Sequence, residues 1–271
     1  MTKEVQAHQL VDPDPSGELE FIEELLDETL ETVGIMQDNL GADFHRTLRL
    51  LGYRVHLQRQ NADIQAALES IAEYGVAHFE RGRVGPDTRV SVRLCGQVVS
   101  LPGGVTTYHT ASRWLDAVGA ALCLRDSGAL ASLAKFKVID FRGEYDEYLD
   151  HLVRALTKYI CGEPGVDKYL AQAQSAIASA GVFPERAKRL GAPTIAVAKS
   201  VLTNSGEAFN ERLADGLAGY RTLHKRSKHN HEAQSVIPLL YLGLTALAHD
   251  QGIGIDVASA YLPAWIVEGG G

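Results

Sequence analysis

Val236-Ile237-Pro238-Leu239-Leu240-Tyr241-Leu242-Gly243-Leu244-Thr245-Ala246-Leu247-Ala248-His249 is the most apolar stretch of the chain, and its reading decides the fold. Fourteen residues are too many for one buried strand and too few for the ~20 that cross a bilayer, so the stretch predicts a buried helix. Pro238 falls in its first turn, where a missing amide hydrogen does no harm. A helix that is apolar on every side needs neighbours on every side, which places it at the centre of other helices. Gly252 and Gly254 end it, Ile255-Asp256-Val257 reads as extended, and Tyr261-Leu262-Pro263-Ala264-Trp265 as a short cap that packs back.

Upstream the helical period persists. Asn204-x-x-Glu207 has the spacing of a capping box for a helix with Phe209, Leu213, Leu217 and Tyr220 inward. Further helices are expected over 193–202, over 166–180 with Gly181 as its stop, over 145–160 through Tyr148, Leu152 and Leu156, and over 111–124 through Trp114, Leu115 and Val118. Between them the period changes to two. Arg89-Val90-Ser91-Val92-Arg93-Leu94 alternates, Cys95-Gly96-Gln97 turns, and Val98-Val99-Ser100-Leu101 returns, which reads as a β-hairpin that must pack on helices to persist. Val138 to Phe141 is a candidate for one more short strand.

At the start, Ser16 reads as an N-cap and Leu19, Ile22, Leu26, Leu30, Val33 and Met36 fall on one stripe of a helix. A second helix follows through Phe44, Leu48, Leu51, Val55 and Leu57, and a third from a cap at Asn61 to Gly82. The expected fold is mainly α, a multi-helix bundle or helical-repeat-like array with one small β-hairpin. It occupies residues 16–268, with possible halves 16–143 and 144–268. Residues 1–15 read as a disordered tail and 269–271 as a flexible end.

At 271 residues, 45% hydrophobic and 22% charged, the chain is long enough for a core that needs neither disulfides nor metal. Cys95, Cys123 and Cys161 show no metal-ligand spacing and read as free thiols. With no membrane-length apolar run and no secretory signal, the expected location is cytoplasmic. Charge is the uneven feature. Residues 1–43 hold twelve Asp or Glu against Lys3 alone, a net of −11, while the remaining 228 residues sum to +3. Free nucleic acid is therefore not an expected partner, because phosphate binding needs a clustered basic face.

Candidate chemistry is weighed against simpler explanations. His224, His229 and His231 lie among Arg221, Lys225, Arg226 and Lys228, whose charge opposes a bound cation, so a solvated basic helix end is favoured. Asp140-Phe141-Arg142-Gly143-Glu144-Tyr145-Asp146-Glu147-Tyr148 groups four carboxylates, but on a loop running into a helix, where acids favour the positive helix end. No nucleophile elbow, zinc-protease helix, phosphate loop or dinucleotide fingerprint occurs. Catalytic residues, metal and cofactor are each expected to be none.

Over Asn204 to Val267 the chain resembles the immunity protein 49 family of bacterial polymorphic-toxin systems. The likeness rests on Phe209, Leu213, Leu217 and Tyr220 leading into His224-Lys225, the apolar helix around Leu239 to Leu247, Ala248-His249-Asp250-Gln251-Gly252, and Tyr261-Leu262-Pro263. A weaker likeness covers Val90 to Leu101, Trp114 and its helix, and Tyr145 to Ile177. The resemblance implies a largely helical protein that binds a cognate toxin and catalyses nothing. Two surfaces are candidates for that contact: Glu20, Glu23, Glu24, Asp27, Glu28 and Glu31 on the first helix, whose charge suits a basic, nuclease-like toxin, and Arg221, His224, Lys225 and Lys228. A solvated face that merely keeps the helix soluble is the simpler explanation of the acids and is favoured over a binding role. The alternatives are a helical-repeat scaffold that joins host proteins and an enzyme whose carboxylates and histidines meet only in the fold. The oligomeric state is not legible.

Overall fold

A computed structural model describes residues 2–32, 39–206, 208–226 and 230–270, the side chains of 30–32 excepted. Val33, Met36, Glu207, Lys228 and His229, and the side chains of Leu30 and Glu31, lie outside the described residues. The chain opens with β1 (Lys3–Glu4), α1 (Pro15–Thr32), α2 (Asn39–His56) and α3 (Asn61–Gly82). Leu19 and Ile22 of α1 are buried and Leu26 is half-buried, as the helical stripe requires. Next comes the hairpin of β2 (Arg89–Leu94) and β3 (Gln97–Pro102). Leu94 pairs with Gln97, so Cys95 and Gly96 alone make the turn, both with positive φ (47° and 76°) as a type I′ turn needs. The hairpin buries Val92, Leu94 and Leu101, and β2 packs on α3.

After the hairpin, α4 (Ala111–Cys123) starts at Thr110, whose hydroxyl accepts from the Arg113 amide, and α5 (Ser127–Leu133) starts at Asp126, which accepts from the Ala129 amide. The second half holds α6 (Glu147–Ile160), α7 (Val166–Ala176), the single turn α8 (Pro184–Arg186), α9 (Ala192–Leu202), α10 (Phe209–His224), α11 (Leu239–Asp250), β4 (Val257–Ala258) and α12 (Ala264–Val267). The apolar helix read first from the sequence is α11. It crosses α4 at a pair of glycines. A Cβ on Gly243 would lie 2.6 Å from the Gly119 carbonyl oxygen, and one on Gly119 would lie 2.6 Å from the Leu239 carbonyl carbon. Helices whose crossing glycines lie 124 positions apart in sequence thus share one core, unlike a repeat array whose units touch only neighbours.

Several local expectations are corrected. The expected tail is packed: the Lys3 amide donates to Asp256 and the Val5 amide to Ala258, making β1 a parallel partner of β4. His8 and Leu10 are buried, and Tyr53 donates to Asp12 at 2.6 Å. Residues 3–14 therefore strap the C-terminal end to α2. Asp14, not Ser16, caps α1 by accepting from the Gly17 amide. Val138–Asp140 is a 3-10 turn rather than a strand. Asn204 adopts a left-handed conformation at the end of α9 (φ 51°) instead of capping α10. Gly269 and Gly270 are held by backbone hydrogen bonds to Ile266 and Trp265.

Gly243→Ala tests the crossing. Helix propensity alone would stabilise the variant by about 1 kcal/mol, whereas the collision with backbone should destabilise it by about 1–3 kcal/mol in a denaturant titration. A more stable variant would show that the contact is not tight.

Candidate partner-binding surfaces and the central cleft

Two ion pairs fix the rotation of α1 about its axis: Glu18 to Arg49 at 2.6 Å and Glu23 to Arg54 at 2.8 Å, both arginines on α2. Such half-exposed pairs contribute little stability singly, but they turn Glu18 and Glu23 inward. Glu20, Glu24, Asp27 and Glu28 are left exposed. Phe21 stands on the same face and is 54% exposed. By helical spacing Phe21 lies at the edge of the anionic face, so a large exposed aromatic flanks the charge, the composition of a contact anchor.

The basic stretch divides rather than forming one patch. Arg221 is half-buried and reaches Gln6 of the N-terminal strap at 3.5 Å. His224 stacks on Tyr220 (centroids 4.2 Å) and on His8 (5.8 Å), so it belongs to the interior and not to a solvated helix end. Lys225 is exposed, while Arg226 reaches Glu185 at 2.9 Å.

A cleft of about 830 Å³ is walled by α4, by the segments around Asp146 and Phe183, and by residues from Tyr220 to Arg226 and from Glu232 to Tyr241. Gly143, the expected meeting point of two possible halves, is among its lining residues. One lip is Val182-Phe183, 41% and 50% exposed. Its backbone is held by a single carboxylate: buried Asp146 accepts from the amides of Gly181, Val182 and Phe183 at 2.9, 2.9 and 3.0 Å. The acidic segment 140–147 does lead into a helix, α6, but its key member ties down a distant loop. On α4, Asp116 is half-buried, the one acid of a helix whose other charged residue is Arg113. Desolvation pushes its carboxyl up to about 7, while Arg186 and Arg113 pull it back. No sequence motif marked Asp116; the available signal was one acid inside the apolar run Trp114-Leu115-Asp116-Ala117-Val118.

Ser235 on the cleft wall lies 3.1 Å from Nε2 of His8, the spacing of a nucleophile and its base. The proton order opposes that role. Tyr261 Oη accepts from the His8 backbone N–H (2.9 Å) and is 2.6 Å from Nδ1, so its own proton goes to Nδ1. Nε2 then carries hydrogen and donates to Ser235, whose hydroxyl donates to the Glu232 carbonyl at 2.6 Å. Every bond in the chain is satisfied, and Nε2 has no free lone pair with which to take a proton. Among the described residues, no group of three or more His, Cys, Asp or Glu is placed to hold a metal ion.

Asp116 yields a pH prediction. Its folded value lies above the unfolded one, so the folded state holds the extra proton between about 4 and about 7, and stability falls as pH rises through that window. Asp116→Asn should remove this contribution and melt higher than wild type at pH 8. An unchanged pH profile in the variant would mean that the carboxyl ionises normally.

The family model described as Immunity protein 49 matches residues 56–266. That span runs from the last residue of α2 into α12, taking in most of the cleft wall and leaving out α1. No curated protein matches the chain, and no solved structure does. Since the match covers well over half of its length and includes the apolar helix, the hairpin and the paired helices of the second half, the chain belongs to the immunity protein 49 family.

Proposed function

We propose that the chain is a cytoplasmic immunity protein that binds one cognate bacterial toxin stoichiometrically, blocks it without catalysis, and uses the outer face of α1 for first contact. The observation that carries this reading is the exposed set of Glu20, Glu24, Asp27 and Glu28 flanked by the exposed ring of Phe21. Glu31 would extend the same face by helical spacing, and Glu23 supports it through Arg54. The net of −11 over residues 1–43 draws in a basic partner by long-range steering, and a nuclease, whose own site attracts phosphate, has the matching charge. Phe21 then supplies what charge does not, an apolar anchor that slows dissociation. Arg221, His224, Lys225 and Lys228 form a second candidate contact. Their weight in this reading is smaller, because His224 and Arg221 serve internal packing. No helix among the described residues is long and apolar enough to cross a membrane, in keeping with a partner met in solution.

The test uses a toxin that the chain neutralises on co-expression, sought first among the genes beside its own. Glu24→Lys with Glu28→Lys should slow association at low ionic strength and lose that effect as salt rises, since exposed charges are screened beyond ~10 Å at 0.1 M. Phe21→Ala should instead speed dissociation by about tenfold or more, equivalent to ~1.4 kcal/mol or above. Ile22→Ala on the buried face should cost about 2–5 kcal/mol of folding stability, with half-buried Leu26 costing less. Unaltered toxin binding in both surface variants at every salt concentration would remove α1 from the interface and leave its acids as a solvated face.

A further inference from the structure

The loop between β3 and α4 is fastened by one imidazole whose proton positions are fixed by its neighbours. His109 is fully buried. Its Nε2 lies 2.7 Å from the backbone carbonyl oxygen of His78, and its Nδ1 lies 2.9 Å from the backbone nitrogen of Thr106. A carbonyl only accepts and a backbone N–H only donates, so the ring is the neutral tautomer with hydrogen on Nε2 and a lone pair on Nδ1. The Thr106 hydroxyl is a second neighbour of that lone pair at 3.1 Å. Above the ring lies His78, stacked at 3.8 Å between centroids and itself fully buried, and Phe136 lies parallel at 5.6 Å. The His109 carbonyl in turn accepts from the Arg142 amide at 2.7 Å. One residue therefore joins the end of α3, the 103–110 loop and the 141–146 segment.

The surroundings are hostile to a second proton. The charged groups that act on His109 and His78 are Arg81 from α3, Arg113 from α4 and Arg142 from the segment before α6, all of them cations. Desolvation holds the His109 imidazole down at about 4, with Arg81 and Arg142 adding to the effect and its two backbone hydrogen bonds opposing it. Burial keeps His78 well below the ordinary imidazole range as well. Both walls of the loop lead to the cleft, since Thr110, Ala111, Arg113 and Arg142 all line it.

We propose that His109 is an acid-sensitive latch: a proton taken up at Nδ1 turns the acceptor for the Thr106 amide into a donor, releases the 103–110 loop, and through Arg142 loosens the wall of the central cleft while the α4–α11 core stays folded. The proton comes from solvent and no bond other than hydrogen bonds changes. With hydrogen on both nitrogens the ring keeps its bond to the His78 carbonyl and can donate only to the Thr106 hydroxyl oxygen, so the Thr106 N–H is left facing a donor and loses its acceptor. The sign follows from linkage. An imidazole less basic in the closed state than in the open one, whose ordinary value is ~6.5, leaves the closed state fully stable above pH 6.5 and progressively less so down to about 4.

Hydrogen exchange on the full chain tests the latch without any partner. Between pH 7.5 and pH 5, after correction for intrinsic rates, protection of the Thr106 and Arg142 amides should fall roughly thirtyfold, the factor set by values of 6.5 open and about 4 closed, with amides inside α4 and α11 unaffected. His109→Gln keeps one donor and one acceptor but does not titrate, and should abolish the response; His78→Phe, which keeps a flat ring in the stack, should preserve it. Should His109→Gln fail to fold, nitrogen NMR of the wild-type ring decides, with an unprotonated Nδ1 at pH 7 and a midpoint near 4 expected. Four results would each overturn the proposal: unchanged protection down to pH 4.5, simultaneous loss at α11, a response that persists in His109→Gln or vanishes in His78→Phe, or a midpoint at or above 6.5.

Discussion

The close crossing of α4 and α11 is the constraint on which the rest of the structure depends. Two missing side chains, at Gly119 and Gly243, let each helix approach the other's backbone to a distance no Cβ would tolerate. Both helices bury nearly their whole circumference there, so the gain is dense apolar contact across the two halves of the chain. The geometry that follows is specific. The segment entering α11, Gln234 to Tyr241, is drawn alongside α4 and becomes the wall of the cleft facing Asp116. A wider crossing would leave that cleft without a defined shape.

Buried polar groups then set the details that apolar packing leaves free. Asp146 spends its carboxylate on three amides of one loop, and so holds exposed Val182 and Phe183 in a fixed position. Thr194 and Tyr241 pair at 2.9 Å behind the same wall. Asp116 and His109 flank the cleft region with titrations of opposite sense: the first favours folding as pH falls, the second disfavours it over nearly the same range.

Much of the helical frame was legible because it rests on local periodicity. α1, α6 and α11 follow from the spacing of Leu19 and Ile22, of Tyr148, Leu152 and Leu156, and of the run from Leu239 to Ala248, and the hairpin follows from strict alternation beside Cys95-Gly96. The site was far less legible. The strap was read as a tail because its partners, Asp256, Tyr261 and Tyr53, lie 41 to 253 residues away, and a two-residue parallel pair leaves no pattern in sequence. Asp146 had the position of a helix cap, and only the fold shows that its acceptors are used by Gly181 to Phe183. Asp140 to Asp146 drew attention through density of charge, whereas the single acid of α4 is the one with the largest perturbation among the described carboxyls. His78 and His109 carry no spacing signal at all, since their contact depends on how the hairpin returns the chain.

The cleft, the anionic helix outside the span matched to the family, and a serine whose hydrogen-bond order opposes nucleophilic attack are the features that support the proposed capture of a toxin by shape and charge. The central claim is neutralisation by one-to-one capture. Titrating the purified chain into a fixed amount of a toxin that it neutralises on co-expression, at concentrations well above the dissociation constant, should abolish toxin activity linearly to a sharp break at one equivalent, with activity regained on separation and toxin mass unchanged. Complete inactivation by a small fraction of an equivalent, or a toxin that stays modified after separation, would show turnover and contradict the account.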